Sequence, residues 1–410
     1  MIRNWLNNIG PGPLVAAAFI GPGTVTVCTL AGVNFGYALL WALLLSVFAT
    51  IILQEMSARL GIVSQKGLSE VLREELKHPV VRVIALLLIL SAIVIGNAAY
   101  EAGNISGGIL GLESLFGSAE FSVGSQDLNL WSLLIGLLAF VLLYIGNYKL
   151  LERTFIGLVI VMSLAFIITT IITKPDVSEI LKGLVIPNLS EENVLTVIAL
   201  VGTTVVPYNL FLHASLVKEK WTSKSDLSYA RKDTYLAVIL GGVVSMCIVI
   251  SASAIKNVEV SSAADLALGL EPLFGDFASY VMSIGLFAAG ITSAITAPLA
   301  AAYVASGCLG WTTDLRSWRF RTVWMFILLL GVIFSSIGFK SIEIIKFAQV
   351  ANGLLLPIIA GFLLWVMNRR SILGNHKNTA LQNIFGVVIL AITIFLGLKS
   401  ILKVFNIAWL

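Results

Sequence analysis

Charge is what this sequence has least of. Asp, Glu, Lys and Arg make up 12% of 410 residues, whereas 58% are hydrophobic. A soluble domain carries roughly 25% charged residues, so the composition excludes a solvated globular chain and points to an integral membrane protein. Cysteine is scarcer still. Cys28, Cys247 and Cys308 all fall inside apolar segments without paired spacing, which leaves neither a disulfide framework nor a cysteine metal site. No Gly-x-x-x-x-Gly-Lys-Ser/Thr phosphate loop occurs, so ATP-driven transport within this chain is unsupported. No nucleophile–base constellation supports an enzyme, and no cofactor is expected. The net charge of +4 reflects loop bias and not a nucleic-acid surface. Met1–Asn8 carries a single basic residue, Arg3, and the first apolar segment runs on into a second, so no cleavable signal is expected.

What the chain has instead is long apolar runs. A bilayer core needs about 20 apolar residues per helix. Segments of that kind lie near 13–35, 38–61, 80–108, 130–148, 152–173, 193–218, 234–255, 277–306, 320–338, 342–367 and 381–404. The even connections collect basic residues, among them Lys66, Arg73 and Arg82, then Lys149 and Arg153, Lys220 and Lys224, Arg316 and Arg319, and Arg369 and Lys377. The odd ones hold mainly acids, such as Glu113, Asp127, Asp176, Glu191, Asp265 and Glu271. By the positive-inside rule the N-terminus is expected in the cytoplasm and the C-terminus outside, in a plasma (inner) membrane.

Two of the apolar segments are broken near the middle. The first reads Ile20-Gly21-Pro22-Gly23-Thr24 and the second Val205-Val206-Pro207-Tyr208-Asn209. Proline removes a backbone donor and clashes with the preceding turn. In hydrocarbon the freed backbone is tolerated only against protein, water or a ligand. The breaks fall in spans one and six, five spans apart, so the second unit enters the membrane inverted. The chain is therefore expected to be one transmembrane domain over 1–410. One repeat covers about 13–173, a second about 193–367, and an extra span about 381–404. Substrate is expected at the two breaks.

The break residues also carry a resemblance. Gly10-Pro11-Gly12-Pro13, Gly21-Pro22-Gly23, Ala31-Gly32 and Phe35-Gly36-Tyr37 resemble the first span of the Nramp family of proton-coupled divalent-metal transporters. Leu53-Gln54, Ser57-Ala58-Arg59-Leu60-Gly61, Leu151-Glu152, Pro207 with Asn209-Leu210-Phe211-Leu212-His213, Glu271-Pro272-Leu273-Phe274-Gly275, Gly290 with Ser293 and Thr296, and Gln349 with Leu356-Pro357 extend it over nearly the whole chain. The resemblance implies an all-α leucine-transporter-type fold, five plus five inverted spans plus one, with spans one and six broken. It also implies a set of metal ligands that this chain has replaced. The family's first break reads Asp-Pro-Gly-Asn, where Gly21 and Thr24 stand here. Its second carries Met and His, where Val206 and Tyr208 stand. The Asp and Glu of its third span fall on Asn97 and Tyr100, with Glu101 one position away.

Those departures set the expected chemistry. Gly21, Gly23, Thr24, Thr203, Thr204, Val206, Tyr208, Asn209 and Gln349 are the expected substrate-binding residues, with no resident metal. His213, Asn97, Tyr100 and Glu101 are candidates for ion coupling. An intramembrane ionisable group points to function by default, although a neutral histidine bonding a neighbouring helix is an equal alternative for His213. Glu55 either carries protons or pairs with a basic residue. Lys346 shares a face with Gln349 but is better read as snorkelling to the interface. Neutral oxygens do not offset the cost of a bare divalent ion near the bilayer centre, and helix N-termini attract anions. The leading expectation is a secondary transporter of a small anion such as bicarbonate or a compact carboxylate. A divergent Mg2+ or Mn2+ carrier and a non-transporting membrane sensor are the alternatives. The partners expected are a small ion, the lipid bilayer and a coupling ion, with no nucleic acid.

Overall fold

The computed structural model describes residues 20–123, 126–146, 149–255, 258–337 and 339–404. Gly10–Pro13 and the first half of span one, 13–19, lie outside the described residues. The helices are α1 (Pro22–Phe35), α2 (Leu40–Ser64), α3 (Leu68–Glu75), α4 (Pro79–Phe116), α5 (Leu130–Ile145), α6 (Lys149–Ile172) and α7 (Val177–Val185). They continue with α8 (Val194–Thr204), α9 (Pro207–Lys220), α10 (Leu227–Ala252), α11 (Ala278–Leu309), α12 (Trp318–Ser336), α13 (Ser341–Met367) and α14 (Ala380–Val404). Among the described residues nine helical stretches are long and apolar enough to cross a membrane. The 16-residue α5 and the broken first span account for the remaining two expected segments.

Proline starts the two helices that follow the breaks. Pro22 is the first residue of α1 behind an extended Gly21, and Pro207 is the first residue of α9 behind an extended Val206. The first helical position has no intrahelical donor to lose, which makes it the one place where proline fits a helix without cost. Pro298 and Pro357 sit inside α11 and α13, and both helices run through them. Polar caps start other helices: the Asn129 side chain accepts from the backbone N–H of Trp131 and Ser132 at α5, and Asp176 does the same at α7.

The 38-residue α4 is the axis of the molecule, packing on α11, α12 and α13. Its glycines meet several different helices. Gly103 meets Ala348 of α13, Gly107 meets Pro22 of α1, and Gly108 faces Ile135 of α5. A Cβ at 107 would overlap Pro22, so this glycine permits the close approach of α1 to the axis. The outer surfaces of the bundle are apolar where bilayer is expected; Ile95, Leu137 and Ile171 are each more than 60% exposed.

Two features exceed the sequence expectation. Span three continues past 108 to Phe116, and a hairpin follows it, β1 (Glu120–Val123) against β2 (Gln126–Asn129), with Glu120 opposite Asn129. Helices α3 and α7 are short and amphipathic. Helix α7 turns Val177, Leu181 and Val185 outward, as a helix lying in the membrane interface does.

Candidate functional site

The fold brings the two breaks into contact. Thr24 Oγ1 in the first turn of α1 and Thr203 Oγ1 in the last turn of α8 share a hydrogen bond of 2.8 Å, both residues being buried. Helix α13 is wedged against the same point. The Gln349 side chain lies over Gly23, and the Gln349 backbone carbonyl lies against Gly202, so neither glycine has room for a Cβ. Gln349 Oε1 has no hydrogen-bond partner among the described residues, nor do Oδ1 and Nδ2 of Asn209. Buried polar atoms are nearly always paired, so these three are available to a polar partner at the breaks.

The backbone at the breaks has few donors left. Pro22 and Pro207 have no N–H. The N–H groups of Thr24 and Val25 both bond Gly21 C=O, at 3.1 and 3.2 Å, and Asn209 N–H bonds Val206 C=O at 3.1 Å. On the other side, the bond from Val205 N–H to Val201 C=O, 2.8 Å, closes the ladder of α8. The carbonyls of Gly202 and Thr203 have no backbone donor after it among the described residues. A helix C-terminus carries partial negative charge. The breaks therefore present both kinds of group: the carbonyls of Gly202 and Thr203, and the N–H groups of Gly23 and Tyr208, which have no backbone acceptor among the described residues.

The remaining expected residues are placed around the breaks and beyond them. Tyr208 meets Tyr100 of α4 edge-on, with ring centroids 5.3 Å apart, and both rings are buried. Glu101, next in the chain, is fully buried; Asn104 Nδ2 approaches its Oε2 at 3.4 Å, and its Oε1 is unpartnered among the described residues. Asn97 is bound elsewhere, donating from Nδ2 to Ala297 C=O at 2.8 Å beside Pro298. Thr204 bonds the Leu200 carbonyl of its own helix at 2.9 Å, a common arrangement for membrane threonines. Val206 is buried at the start of α9.

His213 lies within α9, buried, with Nδ1–H donating to Gln54 Oε1 of α2 at 2.7 Å and Nε2 unpartnered among the described residues. Glu55 is a structural anion: Arg59 lies 3.1 Å from its Oε2 and Arg231 2.9 Å from its Oε1. Lys346 is half-buried and paired with Glu343 at 3.1 Å. Sequence reasoning gave no role to Gln54, nor to Asn352, which is buried with Nδ2 unpartnered among the described residues. The three-residue spacing of Gln349 and Asn352 on one face of an apolar span was the available signal. Among the described residues no three His, Cys, Asp or Glu side chains cluster as a metal site.

Comparison with known proteins places this geometry. A family model described as natural resistance-associated macrophage protein-like (Nramp) matches residues 12–403. The divalent metal cation transporter MntH of Bacillus subtilis (strain 168) is 29% identical over 410 residues, covering 96% of this chain and 92% of the relative. The solved structure of an Eremococcus coleocola manganese transporter superposes with a TM-score of 0.78 at 23% identity, over 97% of this chain and 87% of that one. Mhp1, a nucleobase-cation-symport-1 family transporter, superposes at a TM-score of 0.57 and 14% identity, over 98% of this chain and 94% of that one. The fold is thus the leucine-transporter type, as the sequence led us to expect.

The anion expectation, with bicarbonate as its example, is corrected. The relatives carry the names of divalent metal cation transporters. The physical reason lies in what the half-helix N-termini still offer: Pro22 and Pro207 have no N–H, and Thr24, Val25 and Asn209 bond the carbonyls of Gly21 and Val206.

Proposed function

The chain belongs to the Nramp family, and on that premise we propose that it carries a divalent metal cation across the membrane by alternating access around the two helix breaks. The substrate class comes from the relatives named divalent metal cation transporters. The observation that carries the reading is the junction of the breaks, where the Thr24–Thr203 bridge lies beside the Gly202 and Thr203 carbonyls, which have no backbone donor among the described residues. Oxygens of Thr24, Thr203, Asn209 and Gln349 join those carbonyls in replacing part of the ion's hydration shell. With no carboxylate or thioether at Gly21, Thr24 or Val206, the site lacks what selects soft transition metals. The ion keeps some of its water, as Mg2+ does when it binds through few protein ligands. Transport involves no covalent step.

We assign coupling to the line from Tyr208 across Tyr100 to Glu101, the buried carboxyl of α4. The alternation of loop charge supports an N-terminus in the cytoplasm and a C-terminus outside, in the plasma (inner) membrane. The matching proline-started half-helices support repeats of about 13–173 and 193–367 with the extra span at 381–404. The deciding measurement is uptake of Mn2+ and Mg2+ into proteoliposomes, with Na+ as control. We expect saturable uptake of a divalent cation, competed by the other divalent ion, with weaker preference for Mn2+ than a thioether site provides. Folded protein that moves neither ion would overturn the reading in favour of a sensor.

A further inference from the structure

A second concavity lies away from the helix breaks, on the outer flank between the start of α4 and the end of α13. Its volume is about 660 Å3, within the roughly 300–1,000 Å3 that ligand pockets occupy. Val81, Ala85 and Leu88 form one wall, and Ile358, Phe362 and Trp365 the other. Val81 and Leu88 are about half exposed, so the groove opens sideways to where hydrocarbon lies. Its lining is almost wholly apolar except at one end. There Arg369 stacks on the Trp365 ring, 4.1 Å from its centroid, which holds the guanidinium over the mouth of the groove.

Basic residues outnumber acids at that end. Among the described residues Arg369 makes no ion pair, and neither do Lys77, Arg82 and Arg370, which adjoin Leu76, Val81 and Arg369 in the chain. Glu75, next to Leu76 in the chain, accepts from Ser371 Oγ at 3.1 Å. A dry slot ending in unpaired cations at the bilayer surface matches one kind of molecule. We propose that this groove binds an anionic glycerophospholipid, one acyl chain lying between α4 and α13 and the phosphate on Arg369. Guanidinium is suited to phosphate by its planar fork of donors, and basic pockets between membrane helices on the Lys/Arg-rich side bind acidic headgroups. A zwitterionic lipid would bring its own cation against this patch and is disfavoured.

The test uses the full chain, delipidated and reloaded with phosphatidylglycerol or phosphatidylcholine and followed by native mass spectrometry. We expect retained phosphatidylglycerol to exceed phosphatidylcholine, and the Arg369→Ala and Arg82→Ala variants each to lower its retention about fivefold. Arg369→Lys should keep part of it. Both positions are exposed, so folding should survive. A second readout locates the lipid: brominated phosphatidylglycerol should quench the emission component that Trp365→Phe removes. Equal retention of the two lipids, indifferent to both arginine variants, would overturn the proposal and leave the groove as ordinary bilayer contact. Quenching that ignores Trp365 would overturn it too. The outcome is independent of which ion the breaks transport.

Discussion

Thr24 and Thr203 meet as two hydroxyls in a buried setting, and each of them closes the other's hydrogen bond. Valine has the same shape without the hydroxyl, so substitution there separates two roles. Thr24→Val alone leaves the Thr203 oxygen without this partner, at a cost of about 1–3 kcal/mol. The double variant Thr24→Val/Thr203→Val removes both polar atoms and is expected to recover most of that stability. If the oxygens serve the ion, uptake stays low in both variants while thermal stability returns only in the double one. Recovery of uptake with stability would make the bridge a helix latch and nothing more. The replaced ligands offer the opposite experiment. Gly21→Asp with Val206→Met should raise the preference for Mn2+ over Mg2+ by on the order of 10- to 100-fold, the range that groups around a metal site carry, measured as competition in the uptake assay.

Among elements, the strongest polar tie is between α2 and its neighbours. Glu55 is 5% exposed and Arg59 2% exposed. Arg59 also donates to the His376 carbonyl at 3.0 Å and to Asn378 Oδ1 at 2.7 Å, so the pair joins α2 to α10 and to the turn before α14. Removing one member of a buried pair strands the other. Glu55→Ala is therefore expected to lose about 3–5 kcal/mol, towards the lower end because Arg59 keeps its neutral partners. Glu55→Met/Arg59→Met should be more stable than Glu55→Ala, and unfolding in detergent checks the order. The rare acid in span two and Arg59, four residues on, were visible in the sequence, but Arg231 was not. It lies 176 residues away, and helix periodicity says nothing about which helix becomes a neighbour. The hairpin of β1 and β2 was missed for a related reason: a four-residue strand outside the bilayer is too short for pattern alone.

At the scale of the whole molecule, sidedness is the claim most open to direct measurement. The three native cysteines are buried, so a membrane-impermeant maleimide should label the wild-type chain poorly. Ser225 and Ser261 are exposed, in connections of opposite charge character. Ser225→Cys should be labelled only from the cytoplasmic side and Ser261→Cys only from outside. Labelling of both from one side would refute the inverted arrangement of the spans. By itself the sequence determined the membrane class, the eleven apolar segments and the positions of the two breaks. Hydropathy and proline act locally, with the bilayer as solvent, and so can be read along the chain. It did not determine which prolines break a helix and which, like Pro298 and Pro357, are carried through one. Nor did it determine the polarity of the site. That depended on Gly21 and Val206 carbonyls capturing the N–H groups of the following turns, and on Thr203 reaching Thr24 across 179 residues. Only the tertiary structure decides which donors are already used, because a hydrogen bond depends on where both of its partners end up.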